Sequence, residues 1–127
     1  MTVGAGTSAY NVSLTGSSNT IAGDTNFNNT GSVTLGDGSD TSTFTGGLDT
    51  TAASGTNIGG TVFTAGQRID LGAVTLTSAS KVDSTNNGGT ATGAAINNAS
   101  IAGAGNTFDL NSGSTGAIAV PGLTDNV

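Results

Sequence analysis

Apolar residues along this chain come as short doublets separated by one residue. Six doublets share this form: Val12/Leu14, Val33/Leu35, Ile69/Leu71, Val74/Leu76, Phe108/Leu110 and Ile118/Val120. Alternation with a period of two is typical of a half-buried β-strand, because successive side chains point to opposite faces. Glycine, asparagine, aspartate and serine follow almost every doublet and supply the chemistry of tight turns. The pattern predicts many short strands joined by turns.

The spacing of the apolar positions predicts that these strands coil. One series keeps a step of about 21 residues, and a second, looser series runs beside it. The first series is Val12, Val33, Ala52-Ala53, Val74, Ile96 and Ile118, and the second is Ile21, Phe44, Val62, Val82 and Ile101. Two similar stretches, Ser13 to Ile21 and Ser100 to Phe108, lie 87 positions apart, which is close to four such steps.

These periods indicate an all-β fold, a parallel β-helix (β-solenoid) of about six coils with roughly 21–22 residues each. Stacked coils pair each short strand with the strands above and below it. The narrow interior suits aliphatic side chains and threonine rather than large rings, which agrees with an aromatic content of only 4%. Asn19, Asn106 and Asn111 are candidates for stacked amide ladders at turns. A β-sandwich or barrel is the alternative fold. The phase slips among the glycines of residues 46–60, whose conformation the pattern does not predict.

Composition narrows the function classes. The net charge is -6, and Arg68 and Lys81 are the only basic residues, which argues against nucleic acid and anionic lipid as partners. There is no cysteine for a disulfide, a thiol nucleophile or a thiolate metal site, and no histidine for a Ser–His–Asp triad. Disorder is the alternative for a chain rich in glycine and serine, but its apolar residues are regularly spaced.

The ends of the sequence carry no targeting or capping signal. Met1 to Ala5 has neither the basic region nor the apolar run of a signal peptide, and no apolar window is long enough to cross a membrane. No amphipathic helix caps either end, although Pro121 is suited to an edge strand. We therefore interpret residues 1–127 as one β-solenoid segment, a slice of a longer repetitive protein.

Three segments carry a resemblance to a known kind of protein: Gly31 to Asp40, Arg68 to Leu76, and Gly103 to Gly113. In style and spacing they resemble the β-helical repeat regions of large bacterial surface and secreted proteins, such as filamentous-haemagglutinin-like exoproteins and autotransporter passenger domains. The resemblance implies a right-handed coil, a location outside the cell or on the outer surface, and a role as a stalk. It brings no catalytic motif with it.

Candidate chemistry is sparse. Asp37 and Asp40, in Gly36-Asp37-Gly38-Ser39-Asp40, form a weak calcium candidate, with an ordinary aspartate-capped turn as the alternative. Carboxylate pairs on neighbouring coils, as glycoside hydrolysis requires, are Asp49 with Asp70 and Asp83 with Asp109. Threonine pairs that suggest an ice- or mineral-binding face are Thr43/Thr45, Thr75/Thr77 and Thr90/Thr92, but they do not recur at one step. Tyr10 is expected to cover the edge of the core.

The sequence-based hypothesis is a structural segment of a secreted or cell-surface β-helical adhesin that acts as a rigid shaft. We assign no catalytic, cofactor-binding or metal-binding residue, and the protein is not expected to be an enzyme. Expected partners are neighbouring solenoid segments or copies of the chain end to end, and glycans through a parent adhesin, with neither nucleic acid nor membrane insertion. The alternatives are a self-assembling extracellular fibre subunit and a glycan-binding or glycan-cleaving β-helix.

Overall fold

The computed structural model describes residues 1–4 and 9–124, and all regular secondary structure in them is β-strand. The strands are β1 (Thr2–Val3), β2 (Val12–Leu14), β3 (Ser18–Ile21), β4 (Thr25–Phe27), β5 (Ser32–Phe44), β6 (Leu48–Asp49), β7 (Gly55–Thr64), β8 (Ile69–Leu76), β9 (Ser80–Asp83), β10 (Ile96–Ala102), β11 (Phe108–Asn111), β12 (Ile118–Ala119) and β13 (Leu123–Thr124). Within these residues no helix is long and apolar enough to span a membrane. The parts of the predicted segment at 5–8 and 125–127 lie outside the described residues.

Parallel pairing stacks the strands into three walls. The first wall contains β2, the starts of β5 and β7, the ends of β8 and β10, and β13. The second wall contains β3, the ends of β5 and β7, β9 and β11. The third wall contains β1, β4, β6, the starts of β8 and β10, and β12. The predicted parallel β-helix is therefore confirmed, and its right-handed sense stays a prediction.

The register of the first wall shows that the turns differ in length. Its successive partners are Val12, Val33, Thr56, Val74, Ile101 and Leu123. The shortest step leads from Thr56 to Val74, and the longest leads from Val74 to Ile101. The chain thus makes about five turns rather than the six that a constant step predicts. The difference arises because the turn after β9 is long, so one step consumes more of the chain than the average.

The predicted first series is partly wrong because it joins positions from two walls. Between Val33 and Val74 the first wall carries Thr56, and the Ala52-Ala53 pair lies in the turn before β7. Ile96 and Ile118 stack on Ile69 in the third wall. All walls advance by a similar number of residues per turn, so a period alone does not assign a position to its wall.

The second predicted series has the same kind of error. Ile21 pairs with Phe44 and Val62 pairs with Val82, as expected, but the two pairs occupy different inward rungs of the second wall. Ile101 belongs to the first wall, in one ladder with Val12. The two similar stretches of sequence are therefore offset from true register by two positions in the first wall and by four in the second. An error of an even number of residues keeps a side chain on the same face of a strand, so the predicted strand pattern is still correct.

Inward-facing side chains fill the space between the walls. The largest fully buried ones are Phe27, Phe44, Leu35, Ile58, Ile69, Leu71, Leu76, Ile96, Ile101, Val33, Val62 and Val74. Phe27 and Phe44 meet edge to face, with ring centroids 6.4 Å apart and an interplanar angle of 82°. This geometry is a favourable one for aromatic pairs. The core is one apolar column through the inner turns, and buried polar residues such as Ser42, Thr56 and Thr64 occupy some of its inward rungs.

Residues 46–60 close a regular turn. Gly46 and Gly47 lead into β6, which pairs with β4 below and β8 above, and β7 then returns to the first wall. The irregularity lies instead at the corner between the first and second walls. There the segment of β5 from Leu35 to Asp40 spans the same distance as the shorter segment of β7 from Ile58 to Gly60, so β5 carries extra residues.

The predicted asparagine ladder is not formed by Asn19, Asn106 and Asn111. Asn19 Nδ2 donates to Gly16 O at 2.8 Å and to the Ser42 hydroxyl on the next turn at 3.3 Å. Asn106 Nδ2 donates to Leu76 O on the turn before it, at 3.2 Å. Asparagines thus tie neighbouring turns together through other polar groups, because unequal turn lengths do not bring their amides into one row.

Candidate functional site

The third wall presents an outward row of polar side chains. Asn26, Asp49, Asp70 and Asn97 are successive register partners on β4, β6, β8 and β10. The residues that precede them, such as Leu48 and Ile69, point into the core and are buried. Strand alternation therefore places all four polar side chains on one outer face. The predicted proximity of Asp49 and Asp70 on neighbouring turns is confirmed.

Separate hydrogen-bond partners accommodate these two like charges side by side. Asp70 Oδ1 accepts from Arg68 Nε and from Asn97 Nδ2, both at 2.8 Å. Asp49 Oδ1 accepts from the backbone N–H of Thr51 at 2.8 Å and from its hydroxyl at 2.6 Å. Each carboxylate is thus bound to donors of its own. This face of the third wall is therefore polar and carries two carboxylates.

A cleft runs beside this row. Its volume is about 240 Å³, and Asp24, Asn26, Asp49, Gln67 and Arg68 are among the residues that line it. A second, larger depression lies on the other side of Asp70 and extends to Pro121. The lining offers carboxylate acceptors, amide groups and one guanidinium, which suits a hydroxyl-rich ligand. Asn26 and Asn97 were not predicted for this surface, because their place in the row depends on a register that the sequence pattern had misassigned.

The second predicted carboxylate pair does not meet in register. Asp109 stands opposite Lys81, and Asp83 stands opposite Asn111, so the two aspartates are on neighbouring turns but at different rungs along the strands. Asp109 is exposed, whereas Asp83 is 0% exposed. Glycoside hydrolysis requires two carboxyl groups that flank one scissile bond, and the fully buried Asp83 is not accessible to a substrate.

Asp83 is the centre of a buried polar network. Its Oδ1 accepts from the backbone N–H and the hydroxyl of Thr85, both at 2.6 Å. Its Oδ2 lies 2.9 Å from Lys81 Nζ and accepts from Asn111 Nδ2 at 3.3 Å. Burial alone raises the pKa of Asp83, but the hydrogen bonds from Thr85 and Lys81 and the charge of Lys81 outweigh it. The pKa therefore lies below its ordinary value.

This network anchors the longest excursion of the chain, residues 84–95. The Ser84 hydroxyl donates to Ala94 O and accepts from its N–H, at 2.8 and 2.9 Å, which closes the base of the loop. The Thr85 hydroxyl also accepts from the N–H of Gly88 at 2.9 Å. Sequence reasoning missed this role. The available signal was Lys81, Asp83 and Thr85 at alternate positions, which places all three on one face.

We expect Asp83→Asn to lower the free energy of unfolding by about 2–3 kcal/mol at pH 7, since it leaves Lys81 and the Thr85 N–H without a carboxylate. Because the folded pKa is depressed, this stabilisation is present above the unfolded value of about 3.9 and is lost as pH falls through the folded value. Urea unfolding of the unsubstituted protein and of Asp83→Asn from pH 7 to about pH 3 should show the difference between their free energies of unfolding becoming smaller.

Asp109→Asn is the matched control, because Asp109 is exposed on the neighbouring strand. Its effect should stay within about 0.5 kcal/mol at every pH. A gap for Asp83→Asn that persists unchanged in acid would contradict the carboxylate role of this residue.

The remaining predicted features are ordinary elements of the ladder. Asp40 Oδ2 accepts from the backbone N–H of Asp37 at 3.1 Å, which is the aspartate-capped turn offered as the alternative to calcium. Within residues 1–4 and 9–124, no group of three or more acidic side chains is placed to hold a metal ion. The Tyr10 hydroxyl donates to Gly4 O, and Tyr10 is 38% exposed at the first turn.

The three threonine pairs do not share a face. Thr43 is on the second wall, Thr75 is on the first wall, and Thr90 lies in the excursion after β9. An ice- or mineral-binding surface needs a flat, regular array, so these pairs do not form one.

Comparisons with protein-family models, with curated proteins and with solved structures gave no match.

Proposed function

We propose that this chain is a rigid structural segment of a secreted or cell-surface β-solenoid protein, where it serves as part of a shaft or spacer. The observation that carries the proposal is the uninterrupted parallel ladder on three walls around one apolar column. Each turn adds about 4.8 Å of length, so the number of turns sets the reach of such a shaft. The polar surface, with a net charge of -6, agrees with a molecule that works in contact with water along its whole length.

Single-molecule pulling between the two ends tests the structural role. Each turn is held mainly by its neighbours, so we expect the chain to peel in steps of one turn at a time. Each step should lengthen the molecule by about 60–100 Å, because an extended chain spans about 3.3–3.6 Å per residue and the turns differ in length. The same chain pulled in concentrated urea is the control and should extend smoothly. Smooth extension in the absence of urea would contradict a mechanical role.

Glycan binding is the second candidate, because the cleft beside Asp49 and Asp70 presents several hydrogen-bond groups on one face. A glycan array probed with the folded chain distinguishes the two functions. A purely structural segment leaves the array blank, whereas a binding site gives signals that Asp70→Ala abolishes. Asp109→Ala, on a different wall, is the control and should leave such signals unchanged.

A further inference from the structure

Large apolar side chains remain exposed at the two ends of the solenoid. Among the described residues they are Met1, Tyr10, Ile118 and Leu123, in the first and last turns. Ile118 is 45% exposed and Leu123 is 58% exposed, whereas their register partners Ile96 and Ile101 are 0% and 2% exposed. Ile118 and Leu123 thus occupy inward ladder positions, and a further turn stacked on the last one would bury them.

The first turn shows the same feature from the other side. Its inward residues are only partly buried, whereas the residue paired with each on the next turn is buried. The pairs are Val3 with Phe27, Val12 with Val33, Leu14 with Leu35 and Ile21 with Phe44. The two ends therefore carry apolar surfaces of the same kind, one facing up the ladder and one facing down.

We propose that the last turn of one copy pairs with the first turn of a second copy, head to tail. β12 and β13 of the first copy would lie on β1 and β2 of the second, so that the third and first walls continue. The second wall has five strands where the other two have six, so one rung stays open between β11 and β3. Following the two ladders gives the register: Leu123 meets Val12, and Ala119 meets Thr2. The inference rests on the proposed structural role and names the partner for it.

A second copy fits these edges for three physical reasons. Open edge strands present unpaired N–H and C=O groups, and a parallel strand with the same spacing satisfies them. β1, β2 and β3 contain no charged residue, and Asp109 is the only charged residue in β11, β12 and β13. The contact joins different surfaces of the two copies, so it repeats without closing and builds a filament.

Analytical ultracentrifugation of the chain over a range of concentration and salt tests the proposal. Each copy carries a net charge of -6, so we expect association that strengthens as salt screens the repulsion. Leu123→Lys should weaken association by about tenfold or more, because it places a charge in the buried ladder. Ala119→Lys, on the outward face of the same edge, is the control and should change it by less than about threefold.

Disulfide trapping tests the register, since the chain contains no cysteine of its own. A mixture of Val12→Cys and Leu123→Cys chains should form the mixed disulfide, whereas Ser13→Cys, which points outward, should give much less with Leu123→Cys. Within one molecule positions 12 and 123 are five rungs, or about 24 Å, apart, and a disulfide needs Cα atoms within about 7 Å.

Two results would overturn the head-to-tail contact. One is a chain that stays monomeric at every concentration and salt, which would indicate that its edges are covered within the chain. The other is trapping of only like-with-like disulfides, which would indicate a symmetric contact. Neither result alters stepwise extension under load, so the failure of this inference is distinguishable from the failure of the proposed function.

Discussion

Phe44→Ala should lower the free energy of unfolding by about 3–5 kcal/mol, a large part of the total for a single domain of this size. Phe44 is 0% exposed and contacts Phe27 edge to face, so its removal takes away apolar burial and an aromatic contact together. The neighbouring turns hold their walls at a fixed distance through the ladders, so they collapse little into the cavity. Urea unfolding monitored by circular dichroism measures the loss.

Phe63→Ala is the matched control, because the same residue type stands on the next strand of the same wall but points outward. Phe63 is half-buried, and Lys81 Nζ lies 6.0 Å from its ring centroid. We expect Phe63→Ala to lower the free energy of unfolding by only about 1 kcal/mol, because this contact is partly exposed. Equal losses for the two variants would mean that the assigned inward and outward faces of the second wall are wrong.

Gly60→Ala is expected to cost more than about 3 kcal/mol, from backbone strain and steric overlap together. Gly60 has φ of +120°, a conformation that side chains rarely adopt. A Cβ atom there would lie 2.3 Å from the backbone oxygen of Asp40, which belongs to the corner where β5 carries extra residues. Relief requires the backbones of two adjacent turns to separate, so the ladder loses hydrogen bonds as well.

Gly38→Ala tests whether the loss at Gly60 comes from crowding. Gly38 lies in the same corner, but a Cβ atom added to it meets no heavy atom within 4 Å. Its substitution should change the free energy of unfolding by no more than about 0.5 kcal/mol. Thermal unfolding of the three proteins measures both effects, and a Gly60→Ala protein as stable as Gly38→Ala would show that the corner is looser than described.

The strands could be predicted from the sequence, but their assignment to walls could not. Five of the six doublets lie within strands of the structure, and the sixth begins β12 at Ile118, because alternation depends only on which side of a strand faces the core. Assignment to a wall depends on the number of residues at each corner, and corner lengths leave no periodic signal. Thr56 illustrates the difficulty, since it occupies an inward rung where an apolar residue was expected and bonds to the Thr50 hydroxyl at 2.7 Å.

The polar sites were predictable only where they depended on strand alternation. The pairing of Asp49 with Asp70 could be predicted because one ordinary step of the ladder separates the two residues. The Asp83 network was missed because its partner Asn111 lies beyond the long excursion, outside the reach of an ordinary step. The burial of Asp83 also depends on the loop that covers it, and its neighbours Val82 and Ser84 gave no sign of that cover.

The unequal lengths of the turns have a consequence for how such chains diverge. The ladder aligns rungs, and the corners absorb whatever length of chain lies between them. Insertions and deletions at corners therefore leave the core column intact, while each one shifts every later residue against any fixed repeat. Two solenoids of this kind can superpose rung for rung although their sequences align only with a gap in every turn, so rungs rather than residue offsets are the units in which to compare them.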